Sequence, residues 1–363
     1  MAEILARRGH QVDVFTYHLG RGVTSPGFSI YRIPPVPSYN KEDPGPSYRK
    51  LFHLDPLLAR MILRDTRGAG YDVIHAHHFE GLIAALPSAW RHKLPVVFDV
   101  HTLLESELPS YPMGLPQGFK QAAGRLLDTW FPKRSDHVIC VSDEIRAGLL
   151  KKTRLSADRF STIPNGVEDL FFSSDRQKPK KLNGQPPQLV YAGNLATYQR
   201  IDLLLEAFAE ARRSRPDLRL QILTDTAFDR YEARAAALGV REQIDISNPG
   251  FDQLPRLLAE ATVVANPRIE CAGLPQKLVN YMAAGCPIVS FSGSARHIRN
   301  GDSGLIVDDG DVSAFSTAIL RLLSDRDLAL ALGNNAQSYA RSRLSWSYAA
   351  RQIEAVYAAV VTA

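Results

Sequence analysis

Glu270 stands in the stretch NPRIECAG, just ahead of GLPQKLVNYMAAGCPIV (273–289), a glycine turn, a short amphipathic helix and a break into an apolar strand. A helix N-terminus carries unpaired N–H groups and about half a positive charge, which suits a phosphate. The turn therefore either holds a ligand's phosphates or merely closes a loop. Glu270 is equally ambiguous, since a carboxylate near a helix N-terminus favours the dipole by ~0.3–1 kcal/mol whether or not it has a ligand. A second group is rich in imidazoles. His75, His77 and His78 close the stretch YDVIHAHH, and His101 closes PVVFDVH ahead of Thr102. Asn165 and Gly166 lie in a Pro-Asn-Gly turn, and Gly193 and Asn194 follow another apolar run.

These groups sit at the ends of short apolar runs that alternate with helical patterns. QVDVFTY, YDVIHAHH, PVVFDVH, SDHVICVS and RFSTIPNGV read as strands, separated by helices such as EGLIAALPSAWRHK and DEIRAGLLKK. Buried strands alternating with helices mean βαβ units and a parallel sheet. The polar, proline-rich stretch SSDRQKPKKLNGQPPQ reads as an interdomain linker by composition. A second series then begins at PQLVYAGNL, and LSWSYAARQIEAVYAAVVTA forms a last amphipathic helix. Two doubly wound halves place their ligand in the crevice outside the carboxyl ends of their strands, which is where the polar residues above fall.

With 363 residues the chain favours two domains, and 45% hydrophobic with 22% charged residues is an ordinary globular composition. A net charge of +5 fits anionic small molecules, an anionic membrane surface, nucleic acid, or a basic surface with no partner. Cys140, Cys271 and Cys286 are far apart and show no metal or disulfide spacing. The sequence contains no apolar run of ~18 residues, and its first residues lack the apolar stretch of a signal peptide. A cytoplasmic setting is the simplest expectation.

The segments LARRGHQVDVFT, YDVIHAHH, VVFDVHT, HVICVSDEI, IPNGVE, YAGNL with IDLLLEAF, ECAGLPQKLVNYMAAGCPIV and NGDSGLIVDDGD, in this order across nearly the whole chain, resemble glycosyltransferase family 4. The resemblance implies an α/β GT-B fold, two Rossmann-like domains facing a cleft. It divides the chain into an acceptor-side domain (1–172), a linker (173–188), a nucleotide-sugar domain (189–345) and a terminal helix (346–363) that packs back on the first domain. It implies a retaining transferase with a UDP- or GDP-type sugar donor as co-substrate and a glycan or lipid-linked acceptor. No cofactor, metal or nucleic-acid partner is implied. Gly273 and Leu274 would then offer backbone N–H groups to the diphosphate, Glu270 would contact the donor sugar, and His101 would lie near the transferred sugar. His75, His77 and His78 would serve loops or the acceptor rather than a metal, because alternation along a strand splits neighbouring side chains between faces.

The chain departs from the family pattern at several places. Asn280 takes the position of a glutamate that bonds the ribose, and an asparagine lacks the charge-assisted strength of a carboxylate. After Gly193, Asn194 and Gln199 stand where relatives carry an arginine and a lysine on the diphosphate. Either Arg200 supplies the missing cation or it is a solvated loop residue. Lys277 is a second candidate, against the alternative of an exposed lysine. Arg296 and His297 replace a glutamate-bearing motif. The family's first strand and its glycine-rich loop are lacking, so ladder groups are expected to go unpaired, each costing ~1–3 kcal/mol if buried, and full activity is not expected. The expectation is therefore a retaining hexose transferase of polysaccharide or glycoconjugate synthesis. Its rivals are a non-catalytic nucleotide- or glycan-binding relative, a truncated fragment, or a sugar-nucleotide epimerase of the same fold. A peripheral membrane contact is carried by YRKLFHLDPLLARMILRD, which mixes basic and apolar residues and equally suits ordinary packing.

Overall fold

The computed structural model describes residues 1–20, 27–37, 39, 50–111, 114–172, 186–271 and 275–362. Most of the expected linker, and both Gly273 and Leu274, lie outside the described residues. The chain forms two compact units, Met1–Pro164 with Ala349–Ala363, and Asn165–Tyr348. The division falls in the Pro-Asn-Gly turn because the segment after it packs with the second unit. Val167 bridges to Ser345, Phe171 and Phe172 enter the second unit's core, and a Cβ on Gly166 would stand 2.5 Å from the Trp346 amide nitrogen.

The second unit is built on one six-stranded parallel sheet. To number all strands in chain order, the first unit supplies β1 (Val12–Thr16), β2 (Phe28–Arg32), β3 (Ile74–His77), β4 (Val96–Val100), β5 (His137–Cys140) and β6 (Phe160–Thr162). The second supplies β7 (Gln188–Ala192), β8 (Arg219–Leu223), β9 (Ile244–Ser247), β10 (Val263–Asn266), β11 (Ile288–Phe291) and β12 (Leu305–Val307). Its order is β12-β11-β10-β7-β8-β9, so the strand order reverses between β7 and β10. Such a switch point opens a crevice at the carboxyl ends of the flanking strands. The strands read as near-continuous apolar runs because both faces are covered, one by the cluster holding Tyr191, Phe208 and Phe315, the other by Val190, Val264, Tyr281 and Met282.

In the first unit β3, β4, β5 and β6 form a parallel sheet in that order, while β1 and β2 pair separately. Among the described residues β1 pairs only with β2, and β3 only with β4. The helix Asp55–Asp65 uses its apolar face for packing: Leu54, Leu58, Met61 and Ile62 bury against Ile33, Tyr39 and Ala84. Residues from the C-terminal helix complete this unit. Glu354 receives Arg8 through two bonds of 2.6 Å, and Tyr357 reaches His75. Among the described residues no helix is long and apolar enough to cross a membrane.

Candidate functional site

In the second unit the polar residues gather at the switch point. The strand β7 ends at Ala192 and the chain turns at Gly193, whose φ of 144° and close neighbours leave little room for a side chain. The helix Gln276–Ala283 lies over this turn because the buried Tyr281 hydroxyl bonds both the N–H (2.7 Å) and the C=O (3.1 Å) of Ala192. That anchor carries Lys277 into place. Its Nζ donates to Gln199 Oε1 and to Tyr191 Oη (3.3 Å) and sits 4.5 Å from the centroid of the Tyr191 ring. Gln199 in turn donates to Asn194 Oδ1 at 3.4 Å. Gly193, Asn194, Gln199 and Lys277 are therefore one assembly. Burial, then the charge of Arg268, pull the Lys277 ammonium down to about 7. A cation so poorly solvated is poised for an anionic ligand.

The segment after β10 forms the other wall of the switch point. Asn266 is fully buried and donates to Ser290 Oγ (2.9 Å) and Ser294 Oγ (2.8 Å), and Ser294 donates on to the Arg268 carbonyl. Gly293 allows the close approach, since a Cβ there would stand 1.8 Å from the Ile269 carbonyl oxygen. This network holds Arg268, stacked 4.8 Å over the Tyr198 ring, and presents Glu270 to solvent. Asn280 lies half-buried on the same helix as Lys277. Arg200 does not join them. Its guanidinium is bound to Asp202 through contacts of 2.8 to 3.2 Å, with the backbone at a left-handed φ of 56°. Of the two expected readings for Arg200, the structure thus gives a loop ion pair. Arg296 donates to the Cys271 carbonyl (3.3 Å), and His297 meets Tyr339 Oη at 2.9 Å.

In the first unit the histidines separate into two groups. His75 and His77 lie two apart on β3, share a face and stack with ring centroids 4.7 Å apart. Both meet one oxygen of Asp99, which stands opposite His77 in the β3–β4 register. Asp99 Oδ2 is 3.4 Å from His75 Nε2, 3.1 Å from His77 Nδ1 and 3.5 Å from His101 Nε2. Burial opposes the Asp99 charge, but hydrogen bonds from His101, His75 and His77 outweigh it and hold the carboxyl well below its usual range. The His75 pKa is lowered, chiefly by burial. His78 leaves this face. It begins the next helix at a φ of 58° and bonds Glu80 (2.9 Å) and Thr102 (3.3 Å), with Glu107 at 3.5 Å. The loop after His101 is fixed by the buried Asp128, which accepts from the Leu104 (2.8 Å) and Glu105 (3.1 Å) amides and from Lys152.

Sequence reasoning missed Asp99 and Arg268. A carboxylate inside the otherwise apolar strand VVFDV was a visible signal for the first. Arg268, two residues before Glu270 and just past a strand end, had the position but no periodicity to mark it.

The family model described as Glycosyltransferase Family 4 matches residues 1–169, and that described as Glycosyl transferases group 1 matches residues 173–339. The D-inositol 3-phosphate glycosyltransferase of Acidothermus cellulolyticus is 27% identical over 98% of this chain and 83% of its own. That of Corynebacterium efficiens is 26% identical over 99% and 88%. Among solved structures, sucrose-phosphate synthase from Thermosynechococcus elongatus superposes with a TM-score of 0.75 at 20% identity, covering 99% of this chain and 92% of that one. Anabaena HepE in complex with UDP gives 0.69 at 17% identity, covering 92% and 86%. Both share the fold.

Proposed function

The chain belongs to glycosyltransferase family 4, with the GT-B fold, and on that premise we propose that it is a retaining enzyme moving a hexose from a UDP-type sugar to a hydroxyl of a glycan or lipid-linked acceptor. The observation that carries this reading is the convergence of Lys277, Gln199, Asn194 and Arg268 around Gly193 at the β7–β10 switch point. Structures of similar fold include HepE with UDP and with UDP-glucose, which favours uridine as the base.

In this reading the diphosphate lies against the Gly193 turn and the start of the helix Gln276–Ala283. Lys277 and Arg268 neutralise the charge that grows on the leaving diphosphate, a role that needs no metal where fixed cations are already aimed at it. Asn280 bonds the ribose, Glu270 orients the sugar hydroxyls, and His101, held by Asp99, serves the transferred sugar. The acceptor oxygen attacks on the face from which the diphosphate departs. A peripheral membrane contact falls on the helix Gln117–Trp130, whose Phe119, Leu126 and Trp130 are exposed on one face with Arg134 stacked 4.8 Å from Trp130, rather than on the helix Asp55–Asp65 with its packed face. Co-sedimentation with anionic vesicles, lost in Phe119→Ser with Leu126→Ser, tests it.

The decisive experiment is calorimetric titration with UDP, GDP and ADP, each with and without a sugar. Saturable binding preferring UDP supports the donor assignment. Binding of none of them overturns it.

A further inference from the structure

We propose that His75, His77 and Asp99 form a binding site for a divalent transition cation of the Zn2+ class, contrary to the expectation of no metal.

The donor set fits first. Two imidazole nitrogens and one carboxylate oxygen lie within 4.8 Å of one another. On a tetrahedral ion with bonds of about 2.0–2.1 Å, neighbouring ligand atoms stand about 3.3–3.4 Å apart. Asp99 Oδ2 lies 3.1 Å from His77 Nδ1 and 3.4 Å from His75 Nε2. The ligand types, nitrogen with one hard oxygen, are those that zinc and its neighbours accept.

Second, the site is rigid in the way ligand sites are. His75 and His77 come from one strand and Asp99 from its hydrogen-bonded neighbour, so backbone register sets their spacing. His75 Nδ1 is bonded to Tyr357 Oη at 2.7 Å, which fixes the ring and leaves Nε2 facing Asp99. Such an outer partner orients ligating histidines generally.

Third, the polar bookkeeping is incomplete without an added charge. Three imidazoles crowd Oδ2 of Asp99, while its Oδ1 is buried and has no hydrogen-bond partner. An ion bound through both carboxylate oxygens would give the buried Oδ1 the partner it lacks. The buried side is formed by His75 and Asp99, and the exposed side by His77, half of whose side chain meets solvent. Solvent therefore reaches the site from the side of His77. His101 Nε2, 3.5 Å from the same oxygen, stands where it can take a fourth position.

The test uses the full chain, freed of any affinity tag and stripped with chelator. Zn2+ is titrated by calorimetry and Co2+ by visible absorption. One ion per chain is expected, with the intense visible bands of four-coordinate Co2+. His77→Ala and Asp99→Asn each weaken binding at least tenfold, and Tyr357→Phe, which keeps every ligand, weakens it by about tenfold. Folding of each variant is checked by circular dichroism, and His77→Ala, altering a half-exposed side chain, keeps the test decisive if Asp99→Asn fails to fold. No saturable binding to the wild-type chain, or binding unchanged in His77→Ala, overturns the proposal.

Discussion

Replacing Lys277 by Met tests the donor site most sharply, because methionine keeps the apolar stem that packs over Gly193 and Tyr191 and removes the charge together with its bonds to Gln199 and Tyr191. Burial and Arg268 bring the Lys277 ammonium from 10.5 to about 7, so holding it charged in the free protein costs about 5 kcal/mol. A bound diphosphate supplies the missing counter-charge and favours the protonated form. If that restores the ordinary value, binding takes up about 0.9 proton at pH 8, and affinity falls as pH rises through 7. From pH 6 to pH 9 the loss is then roughly ninetyfold by the same linkage. UDP-glucose is the right probe, since neither of its phosphates has a second ionisation in this range. Calorimetry in two buffers of different ionisation enthalpy measures both affinity and proton uptake. In Lys277→Met the uptake vanishes, the pH profile flattens, and affinity at pH 7 drops by one to two decades, the worth of a charge-assisted bond of about 1.5–3 kcal/mol. A wild-type affinity that is flat from pH 6 to 9 with no proton uptake would refute the reasoning, as would a variant binding within threefold at pH 7.

Three further outcomes follow from contacts described above. Arg200→Asn, which keeps a residue tolerant of the left-handed backbone, changes UDP-glucose affinity by less than about threefold, whereas Arg268→Ala weakens it more than tenfold if its charge meets the diphosphate; calorimetry distinguishes them. Gly293→Ala drives a methyl into the Ile269 carbonyl, costs about 1–3 kcal/mol in thermal or urea unfolding and lowers donor affinity by displacing Glu270; unchanged values in both assays would show that the loop is not held by this approach. Although burial works against its charge, hydrogen bonds with Glu107 and Glu80 raise His78 to about 9, so its contribution is complete below pH 6.5 and is lost as pH climbs to 9. Counted once for the whole cluster, the loss is about 3 kcal/mol, read by urea unfolding at pH 6 and 9.5. Lys277 contributes an opposite trend over the same range in both proteins, so the reading is the stability of the wild type minus that of His78→Asn, which should shrink by about 3 kcal/mol from pH 6 to 9.5.

The fold was legible because its strands are buried on both faces and so appear as near-continuous apolar runs; LVYA in β7, and VVFDV broken only by Asp99, could hardly be anything else. Strand ends were equally legible, which is why most of the polar residues near the switch point were found. What periodicity could not supply was side-chain direction past a strand end. His77 and His78 are neighbours in sequence, but β3 ends between them, and the left-handed backbone of His78 sends its ring to Glu80 and Glu107 while His77 stays with Asp99. Arg200 illustrates the same limit. Its place in the sequence suited a phosphate, but a carboxylate two residues on was the nearer partner. Long-range partners such as Tyr281 for Ala192, or Tyr357 for His75, are set by tertiary packing and leave no local trace.

The first unit is discontinuous: its last residues, Ala349–Ala363, are separated from Pro164 by the whole of the second unit. During synthesis this imposes an order. The second unit is one uninterrupted stretch and can complete its sheet as soon as it has emerged. The first must wait for Glu354 and Tyr357, made about 190 residues after Pro164. At roughly 5–20 residues per second that is a delay of about 10–40 s. Throughout it, the Arg8 guanidinium lacks Glu354 and the Nδ1 of His75 lacks Tyr357, so this edge of the N-terminal unit stays incompletely paired until the last residues are made.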